Sequence, residues 1–298
     1  GDHRDLHVRS RRQRQMCIRD RMKIISELCQ NHNGDRDILE RMIIKAAVCS
    51  DVVKIQSIKA NTFTYRKEYE NYRPYEPEFV RLKGLELSRI DEEFFIFKCM
   101  EYGVESMTTI FVPQHAPRFN ELGYDNLKLS GYSIPAFDYG KKLKSFNFKR
   151  LFFSTSSLSI EEIKQTVKNL NEMGIEYYML QCTCVYPTPL SKLNLQNINY
   201  FRDKLGIKNV GLSDHTNPHE DNLLSSKLAI FQGIDVLERH FTILNIDETR
   251  DGKVSVTPKM MSEIKRFSNL PKDDQFRELN EFNEQQIFNH DYYRGRFK

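Results

Sequence analysis

Short apolar runs alternate with amphipathic segments along most of the chain. The first run ends at Leu28, and Gly34-Asp35 then starts a segment whose apolar residues recur at helical spacing as far as Val48. Similar runs predict eight strands, at Met22 to Leu28, Val52 to Gln56, Ser106 to Val112, Leu127 to Ser130, Arg150 to Ser154, Tyr177 to Cys182, Asn209 to Ser213 and Val236 to Phe241. Helices are predicted between most of these strands, at Gly34 to Val48, Leu85 to Glu101, Pro135 to Leu143, Ile160 to Met173 and Asp221 to Gln232.

This alternation predicts an α/β fold, namely a single-domain (β/α)8 TIM barrel over residues 22–270. An open doubly wound sheet usually has fewer strands and a Gly-rich dinucleotide turn, and no Gly-x-Gly-x-x-Gly occurs. The segment from Ala60 to Arg81 holds four tyrosines and two prolines, and it is predicted to be a long loop over the mouth of the barrel. The charged, turn-rich residues 271–298 are expected to form a short C-terminal tail.

The composition fits one sizeable globular domain, because 39% of the 298 residues are hydrophobic and 29% are charged. Apolar runs such as Phe94 to Phe97 are far shorter than the roughly 20 residues of a membrane helix, so no membrane partner is expected. The net charge of +4 lies in residues 1–21, where seven arginines face three aspartates. That basic leader is predicted to be disordered or non-native, and the balanced remainder gives no reason to expect a nucleic-acid partner.

The six cysteines are too few for a disulfide scaffold in a chain of this length, and the sequence shows no export signal. They are therefore expected to be reduced thiols of a cytoplasmic protein. One residue separates Cys182 from Cys184, whereas a zinc knuckle needs two or more and a second pair of ligands elsewhere. Both are assigned to packing at the end of a strand.

Polar side chains stand at the carboxyl end of every predicted strand. In a (β/α)8 barrel these ends converge on the face that carries the active site. A barrel built only for stability would not need a polar residue at each exit. The residues predicted to lie at this face are Glu27, Lys54, Gln56, Thr109, Lys128, Ser130, Ser154, Tyr186, Ser213, His215, Glu238 and His240.

These side chains suit an anionic substrate and a metal ion. Lys54 and Lys128, with the neighbouring hydroxyl groups, are suited to a phosphate and a carboxylate. His215 and His240 follow adjacent strands and can reach one divalent ion. A lone histidine or lysine at a strand end more often packs or faces solvent, but the convergence of all these groups favours a functional site. The acidic residues expected nearby are Glu27, Glu238 and Asp251.

The same residues fall in motifs that resemble the N-acetylneuraminate (sialic acid) synthase family in order and spacing. The resemblance covers about Met22 to Asn269. Its most specific motifs are Gly-Leu-Ser-Asp-His-Thr at 211–216, Tyr-Pro-Thr-Pro at 186–189 and Glu-Arg-His-Phe-Thr at 238–242. The others are Glu27 with Gln-Asn-His-Asn-Gly at 30–34, Val-Lys-Ile-Gln at 53–56, Lys-Leu-Ser-Gly at 128–131 and Cys-Thr at 182–183.

The resemblance implies an enzyme that condenses phosphoenolpyruvate with an N-acetylated hexosamine, such as N-acetylmannosamine, to give a sialic-acid-type nonulosonic acid and phosphate. It implies a divalent metal, Mn²⁺ or alternatively Mg²⁺, held by His215 and His240. The catalytic residues that it implies are Glu27, Lys54, Lys128 and Asp251. The substrate-binding residues that it implies are Gln56, Thr109, Ser130, Ser154, Tyr186, Ser213 and Glu238.

The resemblance also bears on assembly. It ends before residue 271, so the antifreeze-like domain that follows the barrel in this family is expected to be absent. A homodimer is expected from the family and from the Tyr-rich segment, whose aromatic rings would be poorly placed against water.

Two other functions remain open at this point. The fold also permits a Schiff-base aldolase, with Lys54 or Lys128 as the nucleophile. The third possibility is a non-catalytic barrel that binds a sugar or a partner. Retention of both lysines and both histidines argues against it.

Overall fold

The computed structural model describes residues 22–131, 143–281 and 284–296. Eight parallel strands form a closed barrel in sequence order, which confirms the predicted (β/α)8 fold. The strands are β1 (Lys23–Cys29), β2 (Val52–Ile55), β3 (Glu105–Ile110), β4 (Asn126–Leu129), β5 (Arg150–Ser154), β6 (Tyr177–Cys182), β7 (Asn209–Asp214) and β8 (Val236–His240). The predicted leader at residues 1–21 lies outside the described residues, as does the predicted helix from Pro135 to Leu143 apart from Leu143 itself.

Helices surround the barrel and connect its strands. Those among the described residues are α1 (Arg36–Cys49), α2 (Tyr75–Gly84), α3 (Arg89–Glu101), α4 (Ala116–Leu122), α5 (Ile160–Glu172), α6 (Gln196–Leu205), α7 (Pro218–Asp221), α8 (Leu224–Phe231), α9 (Pro258–Ser268), α10 (Lys272–Leu279) and α11 (Glu284–Tyr293). Helix α5 begins after Ser159, as the sequence predicts, because Ser159 and Glu162 form a reciprocal capping box. Helix α3 begins at Arg89 rather than Leu85, because a second capping box joins Ser88 to Asp91.

Successive inward residues of each strand change from apolar to polar toward the carboxyl end. The deeper inward layer consists of Ile25, Val52, Met107, Phe152, Leu180 and Val236, all of them fully buried. Two positions further along the same strands stand Glu27, Lys54, Thr109, Ser154, Cys182 and Glu238. Because side chains alternate across a strand, both layers point into the barrel. The barrel is therefore closed by an apolar plug beneath a polar mouth.

Outward residues of the strands pack against the helices and form the main hydrophobic core. Leu28, Phe153 and Leu237 belong to this core and are 0% exposed, so the side of each strand that faces the helices excludes water. Gly211 shows how tightly the inward face is filled: a Cβ added there would lie 2.2 Å from the carbonyl oxygen of Val236. The strand ends that carry the polar mouth are thus held by close packing on both faces.

The segment from Ala60 to Arg81 is not a single loop, so this prediction was wrong for its second half. Two 3-10 turns, Ala60–Thr62 and Lys67–Tyr69, are followed by helix α2. Pro74 is the N-cap of α2 and Pro77 lies in its first turn, where a backbone N–H has no partner within the helix. Prolines that suggested a loop therefore mark the start of a helix.

The C-terminal segment also contains more helix than a turn-rich tail. In α10, Gln275 is buried and donates to the carbonyl oxygens of Phe267 and Leu270 at 3.1 and 3.2 Å. The ammonium group of Lys272 donates to the carbonyl oxygen of Phe231 at 2.7 Å. Helix α10 is thereby fixed to α8 and α9. Among the described residues, no helix is both long and apolar enough to cross a membrane.

A buried ion pair joins β7 to β8 on the side that faces the helices. Arg239 and Asp214 are both 0% exposed, and Arg239 Nη1 lies 2.7 Å from Asp214 Oδ1. The other carboxylate oxygen accepts hydrogen bonds from the hydroxyl groups of Ser225 and Ser226 in α8 at 2.7 and 2.8 Å. Burial alone would raise the pKa of Asp214, but the Arg239 charge and these hydrogen bonds lower it. Asp214 is therefore ionised and fully bonded within the protein.

Replacing Asp214→Asn is expected to lower the free energy of unfolding by about 3–5 kcal/mol, because it leaves the buried Arg239 charge uncompensated. Urea unfolding of the full chain measures this. The matched control is Asp274→Asn, which breaks a pair with Arg277 whose partners are 42% and 78% exposed and is expected to cost at most about 1 kcal/mol. Equal losses in the two variants would contradict the structural role of the buried pair.

Candidate active site

One cleft at the carboxyl end of the barrel collects the residues predicted from the sequence. Twelve of the thirteen predicted side chains line it, namely Glu27, Lys54, Gln56, Thr109, Lys128, Ser130, Ser154, Tyr186, Ser213, His215, Glu238 and His240. The thirteenth, Asp251, lies directly beside it, with Oδ2 3.5 Å from Nδ1 of His240. The structure therefore brings the predicted set together, while the role of each member stays a prediction.

Four buried charges occupy one side of the cleft. The Lys54 ammonium contacts a carboxylate oxygen of Glu27 and lies 3.2 Å from the hydroxyl of Thr109. It is also 3.5 Å from Oε1 of Glu238, and the Lys128 ammonium lies 2.5 Å from that same oxygen. Two cations and two anions thus share a small volume and balance in charge.

Glu238 is the centre of this cluster. Its Oε1 also accepts a hydrogen bond from the hydroxyl of Ser213 at 2.9 Å, while its Oε2 has no hydrogen-bond partner among the described residues. Burial would raise the pKa of Glu238, but the charges of Lys128 and Lys54 hold it far below its usual range. Glu238 is therefore an anion whose second oxygen is available for a ligand in the cleft.

Burial has the opposite consequence for Lys54. Loss of solvent lowers the pKa of Lys54 to about 7, although Glu238 acts to raise it. The side chain is 1% exposed and is held at three points by Glu27, Thr109 and Glu238. Its ammonium group is thus fixed in position at the floor of the cleft.

Three rings line the opposite side. The ring of Tyr186 lies 4.3 Å from that of His215, and the rings of His215 and His240 are 5.1 Å apart, measured between centroids. Nδ1 of His215 lies 3.3 Å from the carbonyl oxygen of Thr183 and 3.6 Å from Sγ of Cys182. Burial, aided by the charge of His240, lowers the pKa of His215 to about 3, so its imidazole is neutral at physiological pH.

Several residues of the cleft were not predicted as site residues. Phe111, Ser156 and Cys182 also line it, and Cys29 lies beside His240 and Asp251. Ser156 and Phe111 occupy the next inward positions after β5 and β3, so the two-residue alternation carried one step further would have found them. The sequence predicts only packing at a strand end for Cys182, but this residue lines the cleft with its sulfur 3.6 Å from Nδ1 of His215.

The histidine side suits a divalent metal ion. Nδ1 of His240 is buried and makes no hydrogen bond within the described residues, and the neutral ring of His215 lies beside it. Although burial acts to raise it, the His240 contact lowers the pKa of Asp251 well below its usual range, so an anionic oxygen is available 3.5 Å from His240. Imidazole nitrogens and carboxylate oxygens are ligands that divalent transition metals prefer.

Known proteins share both the sequence pattern and the fold. The model of the NeuB family matches residues 42–270. The chain is 29% identical over 248 residues to N,N'-diacetyllegionaminic acid synthase of Campylobacter jejuni, covering 79% of this chain and 72% of that protein. It is 28% identical over 263 residues to human N-acetylneuraminate-9-phosphate synthase, covering 83% and 69% respectively. The crystal structure of N-acetylneuraminic acid synthetase from Leptospira borgpetersenii has the same fold, with a TM-score of 0.73 at 20% identity over 91% of each chain.

Replacing Glu238→Gln is expected to make the cleft depend on an added anion. The variant leaves the two lysines short of one negative charge, so it should unfold at a lower temperature, and inorganic phosphate should raise its Tm more than that of the unchanged protein. Thermal unfolding across a phosphate titration measures both effects. The control is Glu93→Gln, which removes an exposed partner of Arg89. A phosphate effect no larger than in this control would show that Glu238 does not neutralise the lysines.

Proposed function

The chain belongs to the NeuB family, and on that premise we propose that it condenses phosphoenolpyruvate with an N-acetylated amino sugar to give a nonulosonic acid and phosphate. One observation carries the proposal. Two buried lysines and a row of hydroxyl groups face two histidines and a tyrosine across a single cleft. The first set suits the phosphate and carboxylate of phosphoenolpyruvate, and the second suits a polar acceptor.

The lysine side would bind phosphoenolpyruvate. Lys128 and Lys54 supply positive charge at the floor of the cleft, and both already lie within 3.5 Å of an oxygen of Glu238. The hydroxyl groups proposed to complete this half belong to Thr109, Ser130, Ser154 and Ser213. Fixed cations and hydroxyl dipoles stabilise charge without reorganising, because packing and hydrogen bonds hold them in advance.

The histidine side would bind the sugar. Gln56, Tyr186 and Asp251 are proposed to contact its hydroxyl and acetamido groups, and His215 and His240 to hold a divalent ion, Mn²⁺ or Mg²⁺. When bound, that ion acts as a Lewis acid on the carbonyl of the open-chain sugar. Tyr186 offers both a hydroxyl and a ring that is 49% exposed toward the opening of the cleft.

The bond changes balance without a further reactant other than water. The C=C π pair of phosphoenolpyruvate forms the bond from its methylene carbon to the aldehyde carbon, whose oxygen becomes a hydroxyl group. Water adds to the central carbon, and the bond from that carbon to the phosphate oxygen breaks, leaving a ketone. The two protons of the water end on the new hydroxyl group and on the released phosphate. Glu27 is proposed to accept the proton of the attacking water. Its Oε1 is oriented by the backbone N–H of Cys29 at 2.7 Å, and its Oε2 by Lys54.

Assembly and location are proposed from the family and from the exposed tyrosines of the chain. Tyr65, Tyr69 and Tyr72 are 56%, 50% and 83% exposed. A second copy of the chain would cover such aromatic surface, so we propose a homodimer. A cytoplasmic location accords with phosphoenolpyruvate as the substrate.

The direct test is phosphate release from phosphoenolpyruvate with a panel of N-acetyl and di-N-acetyl hexosamines. We expect release only when a suitable sugar is present, loss of activity in excess EDTA, and recovery on addition of Mn²⁺. Full turnover in EDTA would contradict the metal role.

Lys128→Met should raise the KM for phosphoenolpyruvate and lower kcat, because it removes one cation from the phosphate half. Lys149→Met is the matched control, since that lysine is 56% exposed and lies far from the cleft on the N-terminal side of β5.

A Schiff-base aldolase is the second candidate, and the depressed pKa of Lys54 is the observation that favours it. An amine with a pKa of about 7 is a competent nucleophile near neutral pH. Against it, three contacts hold the Lys54 ammonium in place as a charge.

Borohydride reduction during incubation with pyruvate and with phosphoenolpyruvate plus sugar separates the two candidates. We expect mass spectrometry to find no covalent adduct on the chain, because the proposed reaction forms no imine. An adduct that Lys54→Met abolishes and Lys149→Met retains would establish the aldolase instead.

A further inference from the structure

Strand β1 ends in an irregular backbone at Cys29. The pairing of β1 with β2 shifts register between Glu27 and Cys29, which marks a bulge, and Cys29 has a φ of +49°. A residue with a side chain rarely adopts this left-handed conformation and is strained there by about 1–2 kcal/mol. Cys29 is nevertheless only 4% exposed and faces the mouth of the barrel, not the helix layer. Strain of this kind, held in place at a candidate active site, points to a function for the side chain.

The side chain of Cys29 meets two others that can bind a metal. One ligand atom from each of Cys29, His240 and Asp251 can be chosen so that all three lie within 4.8 Å of one another. The donors come from β1, from the end of β8 and from the turn that follows β8. His240 is 4% exposed, and its Nδ1 makes no hydrogen bond within the described residues.

The turn that carries Asp251 is fixed relative to β8. The backbone N–H of Val256 donates to the carbonyl oxygen of His240 at 2.7 Å, and the hydroxyl of Ser255 donates to the carbonyl oxygen of Asp251 at 2.7 Å. Asn31 donates to that same hydroxyl at 3.0 Å and to the carbonyl oxygen of Phe241 at 3.0 Å. These hydrogen bonds fix the backbone of the turn, so Asp251 is held near His240 before any ion binds.

We propose that the Cys29 thiolate is a further ligand of the divalent ion that His215 and His240 hold. Asp251 completes the set, so that it acts on the sugar through the ion and not by direct contact. The proposal deepens the proposed function and rests on it for what the ion does, but not for the ligand set. A thiolate and a carboxylate balance the charge of a divalent ion, and the thiol proton is released to solvent when the ion binds. Sulfur also favours borderline metals, so this donor set selects Co²⁺, Fe²⁺ or Zn²⁺ over Mg²⁺.

Cobalt substitution in the full chain tests the ligand directly, because a thiolate bound to Co²⁺ gives a charge-transfer absorption in the near ultraviolet. After removal of bound metal with EDTA, titration with Co²⁺ should produce this band and saturate at one equivalent. Cys29→Ser should abolish the band and weaken Co²⁺ binding by at least about tenfold, the lower end of the loss seen even for outer residues of metal sites. Competition with Mg²⁺ should leave the band of the unchanged protein intact at a large excess.

Cys182→Ser is the matched control, because Cys182 is also buried at the same mouth but lies against His215. It should retain the band. Cys29→Gly guards against misfolding, since glycine adopts a positive φ without strain; it should fold with an unchanged or higher Tm and still lack the band. Binding of one Co²⁺ without the band, or loss of the band in Cys182→Ser alone, would overturn the proposal.

The two measurements distinguish failure of the ligand proposal from failure of the proposed function. A band that depends on Cys29 in a protein that releases no phosphate with any sugar would contradict the proposed function and leave the ligand set standing. Sugar-dependent phosphate release in a protein whose bound Co²⁺ gives no thiolate band would do the reverse.

Discussion

Neutralisation of buried charge is the constraint on which the candidate site depends. Glu27, Lys54, Lys128 and Glu238 are each at most 6% exposed, and an isolated ion at such depth would cost several kcal/mol. The register supplies the compensation, because Glu27 pairs with Lys54 on the next strand and with His240 across the closing β1–β8 contact. Closure of the barrel therefore does more than remove sheet edges. It brings Glu238 of the last strand to the lysine of the second.

The same balance governs how an anion would bind. The lysines are already paired with carboxylates, so an incoming phosphate would compete with Glu238 and Glu27 for the same ammonium groups. The divalent ion proposed for the histidine side would add positive charge to the cleft without disturbing the lysines. If Asp251 and Cys29 are its ligands, the ion arrives with its own counter-charges. The charge of the anionic substrate would then be balanced on the lysine side of the cleft, and the charge of the ion on the histidine side.

Periodicity was sufficient to predict the barrel and most of the site. The strands are apolar runs, and the alternation of side chains along each strand places the polar residue at its carboxyl end on the inner face. The sequence alone therefore predicts that His215 and His240 lie together. Helix α6 was missed because only Ile198 and Phe201 of its ten residues are fully buried, which gives a weak apolar stripe. The contact of Cys29 with Asp251 was also beyond the sequence. It depends on a bulge and a positive φ, neither of which leaves a trace in the pattern of apolar and polar residues.

The buried ion pair between Asp214 and Arg239 explains how two histidines on different strands keep a fixed separation. Asp214 precedes His215, and Arg239 precedes His240, so each member of the buried pair is the chain neighbour of a predicted ligand. Alternation sends one residue of each dipeptide into the helix layer and the next into the mouth. A fully buried contact on one face therefore limits how far the strand ends can move on the other. A buried ion pair contributes little net stability compared with an apolar pair, so we infer that its value lies in fixing the geometry of the two strand ends.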